Sequence, residues 1–322
     1  MLEPAVRAHV EASTGERVDT HDRTQLRRAA TREIDRIFER FGLPGPEVQL
    51  VVDHEVPVAG GSILVRSYHP HGNPPYAGHV YLHGGGWTSG SILERVCDAT
   101  ARHRAVTARC ITFLVEYRLA PEFRFPTAVG DVVSAVRWVH DHAAAFEVDA
   151  GRITLGGASA GGNLAAAAIL ADPDLAVRGL LLEVPALDLR GGGALELPDD
   201  IDATAAKWIR PMQDDYRAAV TAYLRDVGDG SSPLATPLVA PDLSMFPETF
   251  ILTAELDVLR PGAEQFAAHL AAADVRTHIT CYSGALHGSP ILNATWPTAR
   301  RWHDDSLAIL RRLHGHDLDQ VS

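Results

Sequence analysis

Hydrophobic periodicity changes repeatedly along the chain, and each change marks an element. The run TQLRRAATREIDRIFERF, residues 24–41, gathers Leu26, Ile34, Ile37, Phe38 and Phe41 near one helical face, with arginines and acids opposite, which predicts an amphipathic helix. Pro44 and Pro46 end it. VQLVVDHEVPV (48–58) and SILVRSYHP (62–70) read as two antiparallel strands joined across Ala59, Gly60 and Gly61. Short apolar runs then alternate with helical ones. HVYLH (79–83), ITFLVEY (111–117), RITLG (152–156), GLLLEVPAL (179–187), TFILTAE (249–255) and RTHITCY (276–282) are strands. TAVGDVVSAVRWVHDH (127–142), 262–273 and 297–313 are helical.

Apolar strands alternating with helices predict an α/β fold with a mostly parallel central sheet and helices on both faces. Residues 188–232 interrupt the alternation with Gly191–Gly192–Gly193, an acidic turn at Asp199–Asp200 and the helix-like run QDDYRAAVTAYLRD. This insertion separates the core into 46–187 and 233–322 and is expected over the C-terminal edge of the sheet, where open α/β sheets bind ligands.

Composition adds exclusions. A formal charge of −12 argues against nucleic acid and anionic membranes, which need clustered cations. The N-terminal stretch lacks the apolar run of a signal peptide, and no window holds eighteen consecutive apolar residues, so a cytoplasmic protein without a membrane span is expected. Cys97, Cys110 and Cys281 are too few and too scattered for a disulfide framework or a metal site, and read as buried free thiols. Sixteen histidines invite a metal reading, yet no HExxH-like pair supports one.

Candidate chemistry centres on ITLGGASAGGNLAAA, residues 153–167, where Gly157–Ala158–Ser159–Ala160–Gly161 fits G-x-S-x-G between a strand and a helix. A nucleophilic serine on such a turn has a strained backbone with no room for neighbouring side chains, so Gly157 and Gly161 support it. The helix N-terminus aims free N–H groups at a reacting carbonyl. No lysine follows, as a phosphate-binding loop of the Walker type requires. His83–Gly84–Gly85–Gly86–Trp87 follows a core strand and reads as an oxyanion loop, with Gly84 as part of its turn and His83 bracing it. A serine needs a base and the base an acid, in the chain order serine, acid, histidine. Asp257 lies just past TFILTAE and His287 just past RTHITCY; Glu255 competes with Asp257 as the acid.

The chain resembles the hormone-sensitive-lipase group of α/β-hydrolase esterases, bacterial family IV. The likeness runs from about Val80 to Trp302 through HGGGW, EYRLAPEFRFPTAVGD, GGASAGGNLA, SSPLATPL, TAELDVLRPGAEQFA and LHGS. It implies Ser159 as nucleophile, His287 as general base, Asp257 as its partner, and the N–H groups of Gly85, Gly86 and Ala160 as oxyanion donors. It gives Arg118 and Glu122 structural roles, makes residues 1–45 and 188–232 a cap over the substrate pockets, and includes relatives that form homodimers through an edge strand. The sequence departs from the family pattern at Ala158, Val258, Pro261, Gly262 and Ser289. Trp87, Ala158, Trp208 and Met212 are candidates for the substrate pocket, with Tyr216 a further cap residue.

The resulting expectation is a serine carboxylic-ester hydrolase working through an acyl-enzyme on a small-molecule ester of short to medium acyl chain, with no cofactor and no metal. An acyltransferase or tailoring enzyme on the same scaffold, and a non-catalytic small-molecule receptor, are the alternatives.

Overall fold

The computed structural model describes residues 3–12, 22–190 and 203–316. Two helices come first, α1 (Pro4–Ala12) and α2 (Arg23–Phe41). The side chain of Asp22 caps α2 by accepting from the Thr24 amide at 2.9 Å, and Ile37, Phe38 and Phe41 bury its apolar stripe. Then follow β1 (Leu50–Val58), β2 (Gly61–His69), β3 (Tyr76–Leu82), α3 (Arg95–Thr107), β4 (Cys110–Glu116), α4 (Thr127–Asp141), β5 (Val148–Ala158), α5 (Ala160–Ala171), β6 (Gly179–Glu183), α6 (Ala203–Tyr223), β7 (Glu248–Ala254), α7 (Arg260–Ala272), β8 (Thr277–Tyr282) and α8 (Pro297–Leu313).

The strands form one sheet in the order β1-β2-β4-β3-β5-β6-β7-β8. The β1–β2 and β2–β4 pairings are antiparallel and all the others parallel. Their Val, Ile and Leu content is that of strands covered on both sides. Strand alternation sorts the side chains of β5 between two helical layers. A methyl on Gly157 would collide with Gly161 of α5, whereas the Thr154 hydroxyl lies 2.9 Å from His79 Nδ1 and 3.0 Å from His314 Nε2, beyond the end of α8. The α4–α5 layer therefore covers one face, and α3 with α8 covers the other. Among the described residues no helix is long and apolar enough to cross a membrane.

Three local expectations need correction, and one helix was not foreseen. Helix α3 gives no apolar stripe in sequence because its buried positions are small or polar, namely Cys97, Ala99, Ala101, Arg104 and Ala105. Strand β6 stops at Glu183, not at 187, since Val184 takes a φ of 41° and Pro185 has no N–H for a ladder. Helix α6 starts well before Gln213 and passes through Pro211. Cys97 and Cys110 are buried, but Cys281 is exposed, because β8 is the edge strand. Gly191–Gly193 and Asp199–Asp200 lie outside the described residues.

Candidate active site

The elbow forms where β5 ends and α5 begins. Ser159 sits between them with φ 56° and ψ −116°, a conformation a non-glycine residue adopts only when its surroundings impose it. Its amide donates to the Glu183 carbonyl at 2.8 Å, and its carbonyl accepts from Asn163 at 3.0 Å and Ala186 at 3.2 Å. Gly161 shows why the flanking residues are small: a Cβ there would run into the carbonyl oxygens of Leu82 and His83, so the helix could not pack so closely against the end of β3.

Asp257 and His287 follow the ends of the next two strands, β7 and β8, and reach the same place. His287 Nε2 lies 2.9 Å from Ser159 Oγ, and His287 Nδ1 lies 2.8 Å from Asp257 Oδ2. Asp257 is buried, and its other oxygen accepts from the Leu259 amide at 2.9 Å. Burial disfavours the charged imidazole of His287, but the charge and hydrogen bond of Asp257 together outweigh it and hold its pKa above the ordinary value. Glu255 is engaged elsewhere, accepting from Ser283 Oγ at 2.9 Å and the Gly284 amide at 2.6 Å. Ser289 has a local role that the sequence did not suggest. Its hydroxyl accepts from the Leu286 amide at 2.8 Å, closing the turn that carries His287.

The glycine loop enters from the end of β3. A Cβ on Gly84 would sit 3.5 Å from the Cβ of Ser159, which measures how near the loop passes. Gly85 has φ 116°, and its carbonyl accepts from Ser89 N at 3.0 Å and Ser89 Oγ at 2.9 Å, folding the loop back on itself. Among the described residues the amides of Gly85, Gly86 and Ala160 have no acceptor. His83 is stacked on Tyr117 at 4.3 Å and its Nδ1 lies 2.7 Å from the Gly84 carbonyl, while Tyr117 Oη donates to the His83 carbonyl at 2.8 Å. Burial lowers the pKa of His83 and keeps it neutral. A residue missed in sequence clamps the outside of this loop. Arg27 on α2 donates to the Thr88 carbonyl at 2.9 Å, to Ala120 O at 2.9 Å and to Glu122 at 2.6 Å. Arg118 pairs with the buried Asp131 at 2.6 Å.

A cavity of about 750 Å³ opens on Ser159 and His287, walled by α2, α3, α6 and α8. Ala158 and Met212 line it, as do Tyr216 and Val258. Trp87 does not: it is buried face to face with Tyr223 at 4.7 Å and fixes the loop to α6. The side chain of Trp208 lies outside the described residues.

Glu94 also lines the cavity. Burial, then the charges of Asp35 and Glu116, push its carboxyl up to about 7 from 4.5, against a weak hydrogen bond from Thr31. Between those two pH values the folded chain holds a proton that the unfolded chain releases, so this group removes stability as pH rises from 4.5 to 7. Glu94→Gln should therefore raise the melting temperature by a few degrees at pH 8.5 and barely move it at pH 4.5. Equal shifts at both pH values in a thermal melt would contradict the assignment.

A serine elbow, an imidazole–carboxylate relay and a loop of free amides on this sheet define a hydrolase. Residues 79–291 match the α/β-hydrolase fold family, and the chain belongs to it, in the hormone-sensitive-lipase-like branch. It is 34% identical over 254 residues to an arylesterase of Saccharolobus solfataricus, covering 74% of this chain and 75% of the relative. It is 35% identical over 250 residues to the carboxylesterase NlhH of Mycobacterium tuberculosis, covering 73% of each. Among solved structures, the thermostable carboxylesterase EstE1 from a metagenomic library superposes with a TM-score of 0.80 at 29% identity, covering 91% of this chain and 97% of that one. A hyperthermophilic esterase of Pyrobaculum calidifontis gives 0.81 at 28% identity, covering 97% and 98%.

Proposed function

We propose that Ser159, His287 and Asp257 hydrolyse carboxylic esters through an acyl-enzyme. The enzyme is a serine carboxylesterase. The reading is carried above all by the unbroken chain of contacts from Asp257 through His287 to Ser159, at 2.8 and 2.9 Å.

In the first half-reaction Ser159 Oγ attacks the ester carbonyl carbon and His287 Nε2 takes its proton. Asp257 holds the proton on Nδ1, which leaves Nε2 as the acceptor, and its charge stabilises the imidazolium that forms. The amides of Gly85, Gly86 and Ala160 bind the oxygen as it becomes negative, from a loop and helix end already in place. His287 then protonates the leaving alcohol. Water repeats the sequence and frees the acid. No step needs a metal or an organic cofactor.

In this reading the described parts of residues 1–45 and 188–232 form the cap, and the protein works in the cytoplasm. A homodimer would use the edge strand β8, where Ile279 is 44% exposed. The cavity volume suits short to medium acyl chains. The experiment is a kcat/KM profile over p-nitrophenyl esters from acetate to palmitate, beside labelling with a fluorophosphonate. We expect a maximum between butanoate and octanoate and one label per chain, on Ser159. A chain that neither turns over any ester nor takes the label would refute the proposal.

A further inference from the structure

On the α3–α8 face of the sheet, polar side chains stand where a buried parallel strand ordinarily carries aliphatic ones. His79 of β3 is the register partner of Thr154 of β5, and Tyr81 lies two residues beyond His79; Glu183 of β6 is the register partner of Ala158, which shares its face of β5 with Thr154. Arg104 of α3 reaches into this stripe. It donates through Nη2 to the Glu183 carboxylate and through Nη1 to His79 Nε2 at 3.0 Å, and its guanidinium carbon lies 4.0 Å from the Tyr81 ring centre. Trp302 Nε1 donates to the second Glu183 oxygen at 3.1 Å. Burial first, then the Arg104 charge, hold the pKa of His79 far below its usual value, so its ring is neutral and Nε2 can accept.

Stability does not account for this arrangement. The Arg104 and Glu183 side chains are 2% and 9% exposed, and an ion pair so buried rarely outperforms well-packed apolar residues. Arginine brings five N–H groups, and the Nε–H of Arg104, itself sealed from solvent, has no acceptor among the described residues. An orphaned donor on a charged group is costly in a folded chain. Arg104, Glu183 and Trp302 all line the cavity that opens on Ser159. Glu183 is the register partner of Ala158, the residue just before the serine, so the polar group lies one strand away from the reaction centre.

We propose that the Arg104–Glu183 pair is a polar subsite for the substrate, and that this enzyme selects esters bearing an uncharged oxygen acceptor, a keto or hydroxyl oxygen, on the arm that fills this part of the cavity. The proposal rests on the ester-hydrolase reading above. Arg104 is already neutralised by Glu183, so a carboxylate on the substrate would gain no net positive charge to offset its desolvation. A neutral oxygen that reaches Arg104 Nε would meet an unused donor without that cost.

The test uses matched pairs of esters. On the acyl arm, p-nitrophenyl esters of 4-oxopentanoic to 7-oxooctanoic acids are each compared with the plain ester of equal chain length. On the alcohol arm, acetates of the corresponding oxo-alcohols are compared with plain alkyl acetates. The wild-type enzyme should favour the oxo member about tenfold in kcat/KM at one or two chain lengths in one arm, the discrimination expected of a hydrogen bond from a charged donor. In Arg104→Met/Glu183→Leu, which removes both partners together, that ratio should fall to about one, and Arg104→Lys, which keeps the charge but lacks the Nε–H, should also lose most of it. Ratios within twofold at every length in both arms of the wild type would overturn the subsite, as would a preference that survives in a folded double variant. The wild-type comparison decides even where neither variant folds. Turnover of p-nitrophenyl acetate by the wild type reads the reaction centre separately: its absence refutes ester hydrolysis itself, whereas its presence with flat ratios refutes only the subsite.

Discussion

Ser159→Ala is expected to lower kcat on p-nitrophenyl butanoate by about six orders of magnitude, the scale seen when a serine hydrolase loses its nucleophile. The substitution removes the only hydroxyl among the described residues that pairs with His287 Nε2, 2.9 Å away, and with it the acyl-enzyme route. The free amides of Gly85, Gly86 and Ala160 survive, so residual catalysis by bound water should remain measurable above the uncatalysed rate. Folding should change little. The strained backbone at φ 56° is imposed by the packing of β5, α5 and the end of β3, and alanine has the same Cβ as serine. A variant that melts near the wild-type temperature, takes no fluorophosphonate and has lost nearly all turnover is the expected result. More than one per cent of wild-type activity, in a preparation free of wild-type enzyme, would mean that another group attacks the ester.

The parts of this site that could be read from sequence are those where chemistry constrains neighbouring residues. The elbow needs glycines beside its serine, and the loop needs glycines beside its amides. Asp257 and His287 were readable for a topological reason, since each follows the end of a strand and parallel strands deliver their ends to one edge. Other features depend on pairing, which a single sequence does not display. Helix α3 was invisible because its partner face takes small residues and Arg104 instead of leucines. Trp87 looked like a pocket residue because it follows the loop glycines, yet Tyr223, far along the chain, covers it. Arg27 joins two loops more than sixty residues away and belongs to no local motif. The polar stripe at His79, Tyr81, Thr154 and Glu183 has a period of two within β3, but its meaning appears only once β3, β5 and β6 are aligned side by side.

Asp257→Asn separates the orienting role of the acid from the presence of a hydrogen bond, and it should cost about four orders of magnitude in kcat, as the equivalent change does in the chymotrypsin-type triad. Asp257 Oδ1 accepts from the Leu259 amide at 2.9 Å, so the asparagine oxygen takes that position and its NH₂ group faces His287 Nδ1. A donor there requires Nδ1 to be the acceptor, which moves the ring proton to Nε2, opposite Ser159 Oγ. The base then presents a proton where it must receive one. The pH profile carries the second half of the prediction. In the wild type, burial lowers the His287 pKa while the Asp257 charge and hydrogen bond raise it by more, so the net value lies above 6.5. Catalysis uses the neutral ring, and kcat/KM should therefore rise with pH through that elevated value and be lost on acidification below it. With asparagine the charge is gone and burial remains, so the pKa falls below 6.5 and the acid limb of the residual activity shifts to lower pH. Stopped-assay profiles from pH 4.5 to 9 on both enzymes would show it. A variant with a tenth or more of wild-type kcat, or with an acid limb unmoved or shifted upward, would show that Asp257 does not govern the imidazole as its geometry requires.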